Sequence, residues 1–135
     1  MIAELTLPTD LPELRPVSEL IAEVLQTIPY SEHDIFSIKL AVEEALNNAI
    51  EHGNRMDPDK WVNVVFTATS ERFDIRITDE GQGFDPEDTD DPPGVHTLRH
   101  AFGRGLLLMR GFMTEVRSHG RGNVVTMAKV REASA

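Results

Sequence analysis

Apolar and polar residues alternate over 3–7, the period of a half-buried strand, and Pro8 closes the segment. Leu20, Ile21, Val24, Leu25 and Ile28 then recur at helical spacing and predict an amphipathic helix that Pro29 stops. Pro12 and Pro16 both suit a first helical turn and not an interior, so the start of that helix falls at either. Ser31 predicts an N-cap, with Asp34 three residues on as an acidic variant of the capping box. A second helix is predicted over about 32–52, with Gly53 and Asn54 supplying the left-handed residue at its end. Residues 62–69 are β-rich, Ser70 and Glu71 suit a tight turn, and Phe73, Ile75 and Ile77 alternate with polar residues as a hairpin partner. Residues 79–103 lack periodicity and are rich in Gly, Pro and Asp; a loop of that length in a compact domain is usually functional. A short helix with Leu106, Leu107, Met109 and Phe112 follows, then two closing strands over 114–118 and 123–130.

The predicted order is strand, helix, helix, strand, strand, loop, helix, strand, strand. Strands that pair mostly as hairpins, with helices from two regions, predict an α+β fold: a two-layer α/β sandwich with the helices on one sheet face. The 135 residues suit a single domain over 1–135. A formal net charge of −10 excludes a protein that binds nucleic acid through a basic surface. No apolar run is long enough to span a membrane, and the N-terminus has no basic segment followed by an apolar stretch. Zero cysteines exclude a disulfide framework, a thiolate metal site and a cysteine nucleophile. These features together set a cytoplasmic protein, with no direct nucleic-acid or membrane partner, as the expectation.

Three segments carry candidate chemistry. On the second helix, Ile38, Val42, Ala45 and Ala49 define a core face. Glu43, Asn47 and Glu51 fall opposite it, whereas Glu44, Asn48 and His52 step along its border at i,i+4. A carboxylate and an amide one turn apart can serve a proton and a metal ion together, although a solvated helix side ending in histidine has the same pattern. The run Asp79-Glu80-Gly81-Gln82-Gly83 follows a strand; its glycines let a ligand approach the backbone, and Asp79 can accept a bond from an amino group. An ordinary turn after a strand also looks like this. Gly103-Arg104-Gly105-Leu106 opens a helix, where backbone N–H groups favour anions. No phosphate-binding loop of the G-x-x-x-x-G-K-[ST] kind is present.

In this order and on these elements, the three segments resemble the boxes of the histidine-kinase-like ATPases (the GHKL superfamily). Residues 44–53 resemble the N box, 79–83 the D-x-G-x-G box and 103–106 the G-x-G-L box. The His52-Gly53 ending, the stretch 105–116 around Met109-Arg110-Gly111-Phe112-Met113, and the minimal length resemble the anti-sigma factor serine/threonine kinases within that superfamily. The resemblance covers residues 3–131 and selects Glu44 and Asn48 over Glu43 and Asn47. It implies the Bergerat ATP-binding fold with a mixed, largely antiparallel sheet. It also implies Glu44 as general base toward a serine or threonine hydroxyl, Asn48 as an oxygen ligand to the Mg²⁺ on ATP, and Asp79 as acceptor from the adenine amino group. Gly81 and Gly83 would give the base room. Gly103, Arg104, Gly105 and Leu106 would wrap the phosphates, beneath an ATP lid at about 84–103. One departure from the family pattern is that its Gly-Thr pair entering the last strand, where the threonine helps hold the adenine, reads Gly122-Asn123 here; Asn123, which can donate and accept, would take the threonine's place, and Thr126 lies too far along the strand to substitute.

The implied partners are a STAS-type anti-anti-sigma protein as substrate, a sigma factor that the kinase holds off, and a second copy in a homodimer. The competing reading is an ATP-binding module that sequesters a partner without significant phosphotransfer. A detached sensor-kinase domain is disfavoured by the lack of a helical phospho-acceptor hairpin. The charge is uneven: residues 79–91 hold seven acids and no base, whereas 92–135 hold two acids and seven bases. Arg104, and more weakly Arg99, is expected to offset the triphosphate beside a solvated acidic segment. His96 and His100 have metal-ligand spacing but no third ligand, most methionines read as packing, and Trp61 reads as a strand anchor or a partner contact.

Overall fold

The computed structural model describes residues 2–81, 109–119 and 123–132. Strand β1 (Ile2–Pro8) leads through a 3₁₀ turn (Leu11–Glu13) into helix α1 (Leu14–Thr27). Both prolines find the positions their rings allow: Pro12 lies in the 3₁₀ turn and Pro16 in the first turn of α1. Helix α2 (Glu32–Asn48) follows, then β2 (Trp61–Ala68), β3 (Arg72–Thr78), a helical stretch at 109–112, β4 (Glu115–His119) and β5 (Val124–Val130).

The five strands form one sheet in the order β1-β2-β3-β5-β4. Its four described pairings are all antiparallel, so no parallel pair of a mixed sheet occurs among the described residues. The reason lies in the connections. Two successive helices return the chain between β1 and β2, where a single helix would have delivered a parallel strand. Strands β3 and β4 do run in the same direction, but β5 lies between them and pairs with both.

The register lines up core residues across the sheet. Ala3, Phe66, Ile75, Met127 and Val116 form one continuous cross-strand row. Leu5, Val64, Ile77 and Val125 form the next. These rows face α1 and α2, whose Val17, Ile21, Leu25, Ile38, Val42 and Leu46 are buried against them. Met109, Met113 and Met127 join the core as expected, whereas Met56 is exposed.

Ser31 is the N-cap of α2, and its Oγ accepts from the Asp34 N–H at 3.0 Å. The Asp34 side chain does not complete a capping box. It is wholly buried, and its Oδ2 accepts instead from the Glu132 N–H at 2.9 Å, just past β5. The end of α2 also departs from expectation. Its last turn widens into a π-helix (Ala49–Gly53), closed by the Asn54 N–H on the Ala49 carbonyl at 2.8 Å. The left-handed residues are Arg55 and Met56, at φ 52° and 60°, while Asn54 stays right-handed at φ −82°. The wider turn delays the reversal by two residues and leaves Gly53 and Asn54 for other work.

Candidate functional site

The polar stripes of α2 separate by what each touches. Glu43 is half-buried, not opposite the core as the helix wheel predicts: its Oε1 accepts from the Ser18 hydroxyl at 2.8 Å, tying α2 to α1. Asn47 donates to Glu51 Oε2 at 3.4 Å along the same stripe. The border stripe is arranged differently. Glu44 is half-buried, and Asn48, one turn on, is 5% exposed with no hydrogen-bond partner for its Nδ2 among the described residues. A buried amide left unsatisfied costs about 1–3 kcal/mol, which a polar ligand would recover.

The π-turn brings Gly53 against the end of β3. A Cβ on Gly53 would overlap the Asp79 carboxylate, and one on Gly81 would overlap the Gly53 carbonyl. Both positions therefore require glycine by contact, not by φ. Asp79 is 8% exposed, and its Oδ1 accepts from the Gly81 N–H at 2.8 Å. Burial pushes its carboxyl up from 3.8 to about 6, against the lowering pulls of the Gly81 N–H and the Lys60 charge. A desolvated acceptor in a bare-backbone cradle fits a planar ligand with an amino group, and the unpartnered Asn48 Nδ2, a donor, fits an acceptor such as a phosphate oxygen at the other end, leaving its amide oxygen for a metal. The residues present fit a nucleotide with its metal.

Asn123 sits beside Asp79, accepting the Asp79 N–H on its carbonyl at 2.9 Å. Thr126 is remote from it, with its hydroxyl 2.9 Å from His119 Nε2 on the sheet face away from the helices. Glu44, Asn48, Asp79, Gly81 and Asn123 are thus all described, on α2, at the exit of β3 and at the entry to β5. Gly83, Gly103, Arg104, Gly105, Leu106 and the lid at about 84–103 lie outside the described residues, as do Arg99, His96 and His100.

Sequence reasoning missed Asn54 and Thr9. Asn54 is wholly buried and bonds to three separate segments, and Thr9, 6% exposed, is one of its partners. Nothing in the local pattern marks either, because their partners lie 7 to 51 residues away. Trp61 is a strand anchor through its backbone: its N–H donates to Glu80 Oε2 at 2.6 Å, while its ring is half exposed.

The family model of the histidine kinase-like ATPase domain matches residues 7–129. The chain is 33% identical to the serine-protein kinase RsbW of Bacillus licheniformis over 116 residues, covering 81% of this chain and 72% of that one. It is 31% identical to the same-named kinase of Bacillus subtilis over a stretch of equal length and coverage. With RsbW of Staphylococcus epidermidis it shares 29% identity over 135 residues, covering 93% of this chain and 84% of that one. Among solved structures, it is similar to that of the RsbU and RsbW domains of Rv1364c from Mycobacterium tuberculosis. The TM-score is 0.67 at 22% identity, covering 97% of this chain and 32% of that one, a likeness of fold.

Proposed function

Because the chain belongs to the histidine kinase-like ATPase family, and within it to the RsbW-type protein serine/threonine kinases, we propose that it phosphorylates a STAS-type anti-anti-sigma protein and holds off a sigma factor. Phosphorylation of the antagonist then decides which partner the kinase keeps. The reading sets its place of action in the cytoplasm, and no helix among the described residues is long and apolar enough to cross a membrane. A homodimer is part of the same proposal.

The observation that carries the reading is the division of labour on α2. Glu43 is engaged by Ser18, which leaves Glu44 as the half-buried carboxylate one turn from the orphaned Asn48 amide. Glu44 takes the proton from the attacking serine or threonine hydroxyl; phosphoryl transfer asks little more of a protein than positioning and charge stabilisation. Asn48 would hold Mg²⁺ through its amide oxygen, and the chemistry that ion would supply is neutralisation of phosphate charge. Asp79 accepts the adenine amino group, while Gly81 and Gly83 leave space for the ring and Asn123 lines its side. Gly103, Arg104, Gly105 and Leu106 are the residues this reading assigns to the phosphates.

The test is phosphotransfer from labelled ATP with Mg²⁺ to a STAS partner. Glu44→Ala is expected to lower transfer at least 100-fold with ATP binding kept within about threefold. ATP binding by the unaltered protein, with no transfer to any STAS partner, would instead favour a sequestering module.

A further inference from the structure

The buried Asn54 uses its whole amide. Its Nδ2 donates to Thr9 Oγ1 at 2.9 Å and to the Trp61 carbonyl at 3.0 Å, and its Oδ1 accepts from the Glu80 N–H at 2.8 Å. Two further bonds close the network. Glu80 Oε2 accepts from the Trp61 N–H at 2.6 Å, and the Thr9 hydroxyl donates to the Lys60 carbonyl at 2.7 Å. One side chain thus joins the exit of β1, the entry to β2 and the exit of β3 to the end of the α2 π-turn.

The exit of β3 carries Asp79. The Asp79 N–H is held by the Asn123 carbonyl, and the next N–H, that of Glu80, is held by Asn54. On the other side, Gly53 immediately precedes Asn54 and packs against the Asp79 carboxylate closely enough to exclude a Cβ. The helix that presents Glu44 and Asn48 runs on through the π-turn to the same asparagine.

We infer that Asn54 is a positioning residue for nucleotide recognition, its amide locking the turn that carries Asp79 to the end of the helix that carries Glu44 and Asn48. The inference rests on the reading of Asp79 as the adenine contact. It fixes the offset between the base end and the phosphate end of one ligand. The chemistry selects asparagine: two donors and one acceptor are needed in one plane. Aspartate would lose both donors and add a second carboxylate beside Asp79, and glutamine would carry the amide one methylene too far.

The test compares Mg²⁺-ADP and Mg²⁺-GDP affinities, by calorimetry, with thermal midpoints for four variants. Asn54→Ala is expected to weaken ADP at least tenfold and GDP by less than threefold, so that the preference for adenine collapses. Asn54→Ser, whose hydroxyl is too short to reach Glu80, repeats the measurement if the alanine variant does not fold. Thr9→Val breaks the arm toward β1 and leaves the Glu80 bond intact; it is expected to lower the midpoint while keeping ADP affinity within twofold. Asp79→Asn tests the underlying reading and is expected to weaken ADP at least tenfold. ADP affinity that survives in the Asn54 variants but falls in Asp79→Asn overturns the positioning role alone. Equal losses of ADP and GDP, or losses that follow the midpoint across the Asn54 variants and Thr9→Val, overturn it too. ADP affinity unchanged in Asp79→Asn removes the adenine contact and the positioning role with it.

Discussion

Asp79 binds its proton more tightly folded than unfolded, and the sign of that difference matters. The folded chain holds it to about pH 6, the unfolded chain only to about 3.8. Between those values the folded state binds more protons, so acidification through this window stabilises the fold, and the ionised carboxylate at neutral pH costs stability. Asp79→Asn keeps an acceptor for the Gly81 N–H and removes the buried charge. It is expected to raise the unfolding free energy by about 1–3 kcal/mol at pH 7.5 and by less than about 1 kcal/mol at pH 4, read from urea unfolding at the two pH values. A variant less stable than the parent at pH 7.5 would contradict the burial argument. A residue retained at a cost to the fold is what a binding site requires and a packing role does not.

At the scale of elements, α2 links the two halves of the molecule through both of its ends. Its C-terminal end reaches the proposed nucleotide site through the π-turn. Its N-terminal end holds the last strand: Asp34 accepts from the Glu132 N–H, and Lys129 Nζ lies 4.0 Å from Asp34 Oδ1 while donating to the Phe112 carbonyl at 3.0 Å. Lys129 follows Val125 and Met127 on the helix-facing side of β5, a charge in an apolar row that the Phe112 carbonyl and the buried Asp34 accommodate. Asp34→Ala is therefore expected to cost about 1–3 kcal/mol in chemical denaturation and to speed amide exchange over 130–132, with exchange in β1–β2 unchanged at low denaturant. Equal acceleration across the whole sheet would indicate a general loss of stability in place of a clasp. The sequence makes these elements visible and their cross-links invisible. The alternation in β2 and β3 reads directly because each side chain faces either helix or water. The border stripe of Glu44 and Asn48 reads from helical geometry in the same way. Asn54 and Asp34 do not, since a short polar residue beside a helix end looks like a cap, and its true partners are fixed only when distant strands pair. The same gap hid the engagement of Glu43, because its partner Ser18 lies 25 residues away on another helix.

The whole molecule carries a net charge of −10 with a pI near 4.8, so acidification acts on it in two ways at once. It relieves the mutual repulsion of many exposed acids, and it protonates the buried Asp79. Salt separates the two. At about 0.5 M the screening length falls to roughly 4 Å, which removes most of the repulsion between exposed charges and leaves a desolvation cost nearly untouched. Added salt is therefore expected to stabilise the protein at pH 7.5 and to flatten part of its stability gain between pH 7.5 and 5. The remainder should persist in high salt and be absent from Asp79→Asn. The five histidines are common to both proteins, so the difference between the two curves cancels their contribution to first order. Urea unfolding of both proteins across this pH range, at low and high salt, measures each part. If 0.5 M salt abolishes the entire pH dependence, or if Asp79→Asn retains all of it, the gain belongs to the surface charge, and the buried carboxylate is not the group whose ionisation costs the fold stability.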